Sequence, residues 1–346
     1  MKILNLNFYN HSVCISSPQD LEVISLLAKD FSAFKSNTES TSKNQFTLEI
    51  CNQVPPWNQV PKTSASMQTL NSICYDVGKF RYCDYYSELL VILDKKMNHA
   101  RLYSENTQRM HEVSYLLTLS RVGKKMDLAG LHKLHAFSVS FNDIAIVCMM
   151  PMKGGKSTLL MEFLKDSRFK MISDDIPLIN FKGEILPFPI KIGLSQFPES
   201  LDIHNPEENL YTMDRGFYGV KQLLCVEGIP GRVEEPGKVF RKIILVESFR
   251  FNSEISQLKK TNILSTYIGL MKHGVIGFGL PMVIEYFWEN GPVDFMIKTK
   301  IFFLRAFGFG ALALRAQKMK LHLGKNPNDA AKLLIDHVLK YAQEIS

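Results

Sequence analysis

The chain reads as an α/β protein in the α+β sense: a mixed sheet, with a β-rich portion before it and a helical region after it. Three observations predict this. Residues 144–150 are continuously apolar, lead into Gly154-Gly155, and are followed by Leu159, Leu160, Phe163 and Leu164 at helical spacing. Strand, turn and helix in that order make one α/β unit, with the strand covered on both faces. Phe169-Lys-Met-Ile-Ser173 supplies a second short apolar strand one helix length later. Residues 176–187 then look like two short strands joined at Lys182-Gly183, where a purely parallel sheet would need another helix.

The elements divide into an N-terminal portion (1–115), a central core (116–250) and a helical C-terminal region (251–346). The first holds strand-like runs at 46–51, 89–93 and 115–119. A Ser/Thr/Asn-rich loop at 35–44 and a Pro-rich bend at 54–61 separate them. In the core, Pro236-Gly237-Lys238 marks a turn before the apolar strand 243–246. Helical patterns follow at 256–272, 281–289 and 295–321. A last one runs from Asn328, the expected N-cap, to 343, with Leu334, Val338, Tyr341 and Ala342 as its buried stripe. Gly274, Gly277 and Gly279 read as a helix break rather than a substrate loop.

Composition narrows the function classes. With 346 residues the chain can bury a large core, and 41 basic against 34 acidic residues leave a net charge of +7. That excess suits phosphate or an acidic peptide, and no zinc-finger spacing or aromatic ribonucleoprotein motif points to nucleic acid. The six cysteines form no C-x-x-C pair, and 46% hydrophobic content makes a disulfide scaffold unnecessary, so a reducing cytoplasm is expected. Asn5, Asn7, Asn10 and His11 interrupt any secretory signal. The most apolar stretches, 263–287 and 301–314, contain Lys272, His273 and Arg305, so no membrane partner is expected.

The turn carries the chemistry. Gly154 and Gly155 let successive amides converge on phosphate oxygens, Lys156 adds charge, Ser157 offers Mg²⁺ a hydroxyl, and Thr158 continues the loop into a helix whose positive end favours anions. Lys153 is either a second phosphate contact or a solvated charge. A full phosphate-loop motif has glycine where Met150 stands, and a Gly-Lys-Ser/Thr triplet arises by chance roughly 0.2 times in a chain of this length, so the context must carry the reading. The competing reading is an ordinary turn whose glycines serve geometry alone. Asp174-Asp175 closes the strand behind the loop: one carboxylate can hold magnesium on the phosphates, and the other can take a proton from an attacking hydroxyl.

These residues resemble the HPr kinase/phosphorylase family, whose catalytic domain is a P-loop variant related to phosphoenolpyruvate carboxykinase. Gly-Gly-Lys-Ser-Thr-Leu stands in place of its phosphate loop, Ile-Ser-Asp-Asp at 172–175 in place of its acidic signature, and Leu134-His135-Ala136 in place of its catalytic histidine. In texture the chain is similar to HPr-kinase-like proteins that tailor peptides, including lasso-peptide precursors. The resemblance covers roughly residues 120–200. It implies a P-loop kinase core, ATP and Mg²⁺ as cofactors, Asp174 as proton acceptor assisted by His135, and Asp175 with Ser157 on the metal. The chain departs from the family at Met150, at Ala136 and in the segment 189–194, which lacks an acidic residue and has Lys191 where an arginine is expected.

The expected function is therefore phosphoryl transfer from ATP to a hydroxyl, with a serine of a peptide or small protein as acceptor. Two alternatives stand beside it: a kinase of a small metabolite such as free serine, and a non-catalytic nucleotide-binding module. Arg215, Arg232 and Arg241 are candidates for neutralising the transferred phosphate. Lys298, Lys300, Arg305, Arg315, Lys318, Lys320 and Lys325 form either a solvated basic face or an attractor for an acidic peptide. The acceptor, the donor preference and the oligomeric state stay open, and a homo-oligomer is compatible with this reading.

Overall fold

The computed structural model describes residues 2–344 apart from 20, 38–44, 97, 152–153, 195–200, 216–218, 251–252, 276–285 and 287–290. Lys153, Gly277, Gly279 and most of the expected loop 35–44 and helix 281–289 lie outside the described residues. The chain forms two compact units. One comprises Met1–Lys125, Tyr211–Lys221 and Pro281–Phe295, and the other Met126–Leu210, Gln222–Leu280 and Met296–Ser346. Both are mixed α/β.

The first unit is built on β1 (Lys2–Phe8), β2 (His11–Ser17), β3 (Phe46–Asn52), β4 (Met67–Gln68), β5 (Ile73–Val77), β6 (Phe80–Asp84), β7 (Leu90–Asp94) and β8 (His99–Ser104). They pair in the order β1-β2-β3-β8-β7-β6-β5-β4. In β1 the alternation of Leu4, Leu6 and Phe8 gives the strand one buried face. Helix α1 (Glu22–Asp30) ends at a buried Asp30, which accepts from Tyr211 Oη at 2.5 Å and lies 2.8 Å from His111 Nε2.

Helix α2 (Thr107–Leu128) replaces the strand expected at 115–119. The Asn106 side chain accepts from the amides of Gln108 and Arg109 and starts the helix. Buried Met110, Val113 and Leu117 then recur at helical spacing. A five-residue apolar run inside such a period cannot by itself separate strand from helix.

In the second unit the chain runs through β9 (Leu131–Lys133), β10 (Ala136–Phe141), β11 (Ile144–Met149), α3 (Lys156–Lys165), β12 (Phe169–Ser173), β13 (Leu178–Asn180), β14 (Ile185–Leu186) and β15 (Ile192–Leu194). After α4 (Pro206–Asn209) come β16 (Leu210–Asp214), mostly in the first unit, and β17 (Val220–Leu224), which begins there; then β18 (Lys242–Arg250), β19 (Gln257–Lys260), α5 (Ile263–Leu270), a π-turn at Met271–Val275, α6 (Pro292–Arg315), whose first turn belongs to the first unit, β20 (Gln317–Leu323) and α7 (Pro327–Glu344). The main sheet has the order β12-β10-β11-β18-β20-β19. β11, β18 and β20 run parallel, whereas β10 is antiparallel to both β11 and β12. The sheet is thus mixed, as the turn at Lys182-Gly183 predicts, and that turn joins β13 to β14.

The region after 250 is not a separate helical layer, because β19 and β20 extend the same sheet as β11. The expected helix 256–272 is β19 followed by α5, which Asn262 caps by accepting from Ser265 N at 2.8 Å. The expected helix 295–321 ends at Arg315 and gives way to β20. Asn326, rather than Asn328, accepts the first amide of α7. One face of the sheet packs Ala145, Val147, Met149, Ile243 and Leu245 against Leu270, Phe309 and Leu312. On the other, Phe163 of α3 meets Phe137 and Phe169 with ring centroids 6.1 and 5.2 Å away. Burying β11 on both faces explains its unbroken apolar run.

Candidate functional site

Strand direction brings the three sequence motifs together. β11 and β12 are both antiparallel to β10, so their carboxyl ends share one sheet edge with the amino end of β10. The glycine turn follows β11, Asp174-Asp175 follows β12, and His135 precedes β10. Ligands of open α/β sheets bind at such an edge. Ala136 N donates to Asp175 O at 3.0 Å and Leu134 N to Pro177 O at 3.1 Å, tying the histidine segment to the acidic one.

The turn itself needs both glycines. Gly154 N donates to Pro151 O, and a Cβ at Gly154 would sit 2.8 Å from that oxygen. Gly155 has φ +95°, which favours glycine. Met150, in the place of the missing glycine, is buried in the core and leaves the turn's outer surface to the residues after it. Helix α3 makes its first bond from Leu159 N to Gly155 O, so the amides of Ser157 and Thr158 stand at its positive end without an intrahelical acceptor.

Around this turn Lys156 Nζ lies 2.6 Å from His135 Nε2 and 3.5 Å from Asp175 Oδ1. His135 Nδ1 lies 3.2 Å from Asp175 Oδ1, and Ser157 Oγ donates to Asp174 Oδ1 at 3.2 Å. The expected pairing is therefore crossed: Ser157 partners Asp174, not Asp175, and His135 partners Asp175, not Asp174. Successive residues leaving a strand point to opposite sides, so one carboxylate faces the first turn of α3 and the other faces the start of β10. Asp174 is 5% exposed and also accepts from Gly193 N at 2.9 Å. The Asp175 side chain is 34% exposed. The segment 189–194, which lacks the acidic residue, thus reaches the site through a backbone amide of β15.

Two features escape sequence reading. His273, in the π-turn after α5, stacks near His135 with centroids 6.4 Å apart, and its carbonyl accepts from His135 N at 3.1 Å. Burial first, then the neighbouring His135, Lys156 and Lys272, push its pKa down to about 4. A buried ionic group braces this turn: Arg305 donates to Gly274 O at 3.2 Å and grips Asp127 at 2.9 and 2.6 Å, while His132 Nδ1 lies 3.0 Å from Asp127. Lys133 beside them is fully buried, and burial lowers its ammonium to about 8. The second feature is Glu247 of β18, in register with Met149 and hence at the same edge. It is 6% exposed, burial raises its pKa, and its carboxyl end packs on Gly269, where a Cβ would lie 2.8 Å from Oε1. The acid following the apolar strand 243–246 was the available signal.

Each of the three candidate arginines has bonds of its own. Arg232 donates to Leu164 O and Asp166 O at the far end of α3, Arg241 pairs with Glu184 at 3.0 Å, and Arg215, in the first unit, donates to Gly219 O. Lys191 is buried. Ser157 and Asp174 offer adjacent hard oxygens of the kind Mg²⁺ takes from a protein when phosphate and water fill its other positions. No helix among the described residues is long and apolar enough to cross a membrane. No protein-family description and no curated protein matches the chain.

Proposed function

We propose that this chain is an HPr-kinase-like, Mg²⁺-dependent kinase that moves the terminal phosphoryl group of ATP to a hydroxyl, with a serine of a peptide or small protein as acceptor. The observation that supports it is the meeting of Lys156, Ser157, His135, Asp174 and Asp175 within hydrogen-bond or ion-pair distance at one sheet edge. In this reading the amides of residues 154–158 and the Lys156 ammonium bind the phosphates. Ser157 and Asp174 are the residues that would hold magnesium, which neutralises phosphate charge when bound.

The roles of the two aspartates are exchanged relative to the resemblance. Asp174 is buried and already accepts two hydrogen bonds, whereas Asp175 is open to an incoming hydroxyl. Asp175 takes the acceptor proton as the acceptor oxygen bonds to phosphorus and the bond to the bridging oxygen breaks, releasing nucleoside diphosphate. His135 orients Asp175 and shares its charge. Positioning and charge neutralisation supply most of the acceleration. The free cysteines suit a cytoplasmic setting.

Calorimetry with Mg²⁺ and ATP, followed by mass spectrometry of reactions with serine peptides and with free serine, tests this. Phosphopeptide formation supports the reading, and phosphoserine from the free amino acid turns it to a metabolite kinase. Nucleotide binding without transfer, unchanged in Asp175→Asn, leaves a binding module. Absence of nucleotide binding removes the proposal.

A further inference from the structure

We propose that the exposed apolar face of α5 and α6 docks an acidic amphipathic helix of a partner protein. This inference needs no nucleotide and stands apart from the chemistry above. Along α6, Met296, Lys300, Phe303, Phe307, Gly310 and Leu314 follow one another at alternating spacings of four and three residues, the seam that a helix presents to another helix. A globular helix normally turns such a stripe inward. Here Met296 is 71% exposed, Phe303 54%, Phe307 73% and Leu314 72%, while Ile301, Arg305, Phe309 and Leu312 on the other side are buried.

Helix α5 adds a second exposed row. Leu264 and Ile268, one turn apart, are 67% and 48% exposed. Between the rows Tyr267 Oη donates to Ala306 O at 3.4 Å, and its ring lies 3.8 Å from where a Cβ of Gly310 would be. Apolar rows thus flank one contact, at which the Tyr267 ring packs against the small residues Ala306 and Gly310. This is the arrangement by which a groove takes an amphipathic helix.

Charge selects the occupant. Between Met296 and Asn328 the sequence has no Asp or Glu, and of its seven basic residues there Arg305 is buried against Asp127 and Lys325 pairs with Glu254. Lys300 and Arg315 are exposed beside the stripe, as is Lys272 just after α5. A second copy of this chain would set that cationic rim against itself, since a twofold interface repeats the same surface. A bilayer favours an unbroken apolar face, whereas exposed Lys300 interrupts this one between Met296 and Phe303. An acidic helix with apolar residues at heptad spacing satisfies both features.

The test uses the full chain and a fluorescein-labelled three-heptad peptide with Leu at the a and d positions and mostly Glu elsewhere. Anisotropy titration should show saturable binding that weakens with salt. A scrambled peptide of the same composition, and the chain carrying Phe303→Asp with Phe307→Asp, should each bind at least about tenfold more weakly. If that double variant loses its fold by circular dichroism, Lys300→Glu with Arg315→Glu carries the test through charge alone. Equal binding of patterned and scrambled peptides overturns the proposal. So does reversible self-association in sedimentation that these substitutions abolish, or co-sedimentation with mixed phosphatidylglycerol and phosphatidylcholine vesicles that they abolish.

Discussion

The Lys156 ammonium sits 2.6 Å from His135 Nε2. An ammonium can only donate, so this nitrogen is the acceptor, and the ring's other nitrogen, Nδ1, lies 3.2 Å from Asp175 Oδ1. A phosphate entering the glycine turn competes for the same ammonium.

Substituting the two partners should separate binding from chemistry. Lys156→Met removes a charge-assisted contact worth about 1.5–3 kcal/mol, so nucleotide affinity should fall roughly 10- to 100-fold in calorimetry. His135→Ala should leave that affinity within a few-fold and slow single-turnover transfer by about 10²–10⁴. Equal losses of affinity in both variants would mean that the pair is merely structural.

The aspartates should split in the same way. Asp175→Asn keeps its shape but cannot take a proton, so transfer should fall by about 10²–10⁴ with Mn²⁺-ADP affinity retained. Asp174→Asn should weaken Mn²⁺-ADP binding, and should also lower stability because the carboxylate accepts from Ser157 and Gly193. The reverse pattern would restore the assignment that the resemblance implies.

Much of this site is legible in the sequence, and for a definite reason. The strand at 144–149, the turn at Gly154-Gly155, the helix behind it and Asp174-Asp175 are local patterns whose order alone implies a common edge. What was not legible is long-range. Nothing local tells that Asp174 rather than Asp175 faces Ser157, since that depends on how β12 leaves the sheet. His273 arrives from a distant part of the chain on a turn held by Arg305 and Asp127. β20 was legible but overridden: Met319, Leu321 and Leu323 alternate with Lys318, Lys320 and His322, yet the long helical pattern before them masked the change of period.

Acid should unfold the second unit in two stages. His273 is held down to about 4 in the fold and titrates near its ordinary 6.5 when unfolded. The unfolded chain therefore binds more protons between these values, and stability falls as pH drops from about 6.5 to about 4. Asp127 is pushed up by burial, but Arg305 and His132 outweigh this and hold it at about 2. Its contribution is present above its ordinary 3.8 and is lost as pH falls toward 2. Urea midpoints measured across pH should show the first stage reduced in His273→Asn to what His337, also lowered by burial, contributes. Asp127→Asn should remove the second and, by stranding buried Arg305, cost about 3–5 kcal/mol at neutral pH. A flat profile between pH 6.5 and 4 in the unaltered chain would refute the His273 assignment.

Two glycines allow backbone strain to be weighed against packing. Gly237 has φ +100°, and a Cβ there would meet nothing within 4 Å, so Gly237→Ala should cost only the left-handed penalty of about 1–2 kcal/mol. Gly183, in the turn between β13 and β14, has φ +70°, and a Cβ there would lie 2.4 Å from Leu312 N and 2.5 Å from Ala311 C. Those atoms are backbone of α6 and cannot rotate aside, so Gly183→Ala should add roughly 1–3 kcal/mol of overpacking to the same strain. Thermal unfolding should place Gly183→Ala clearly below Gly237→Ala. Equal losses would show that the turn moves off α6 at little cost, and that the close approach is not what fixes this turn on the helix.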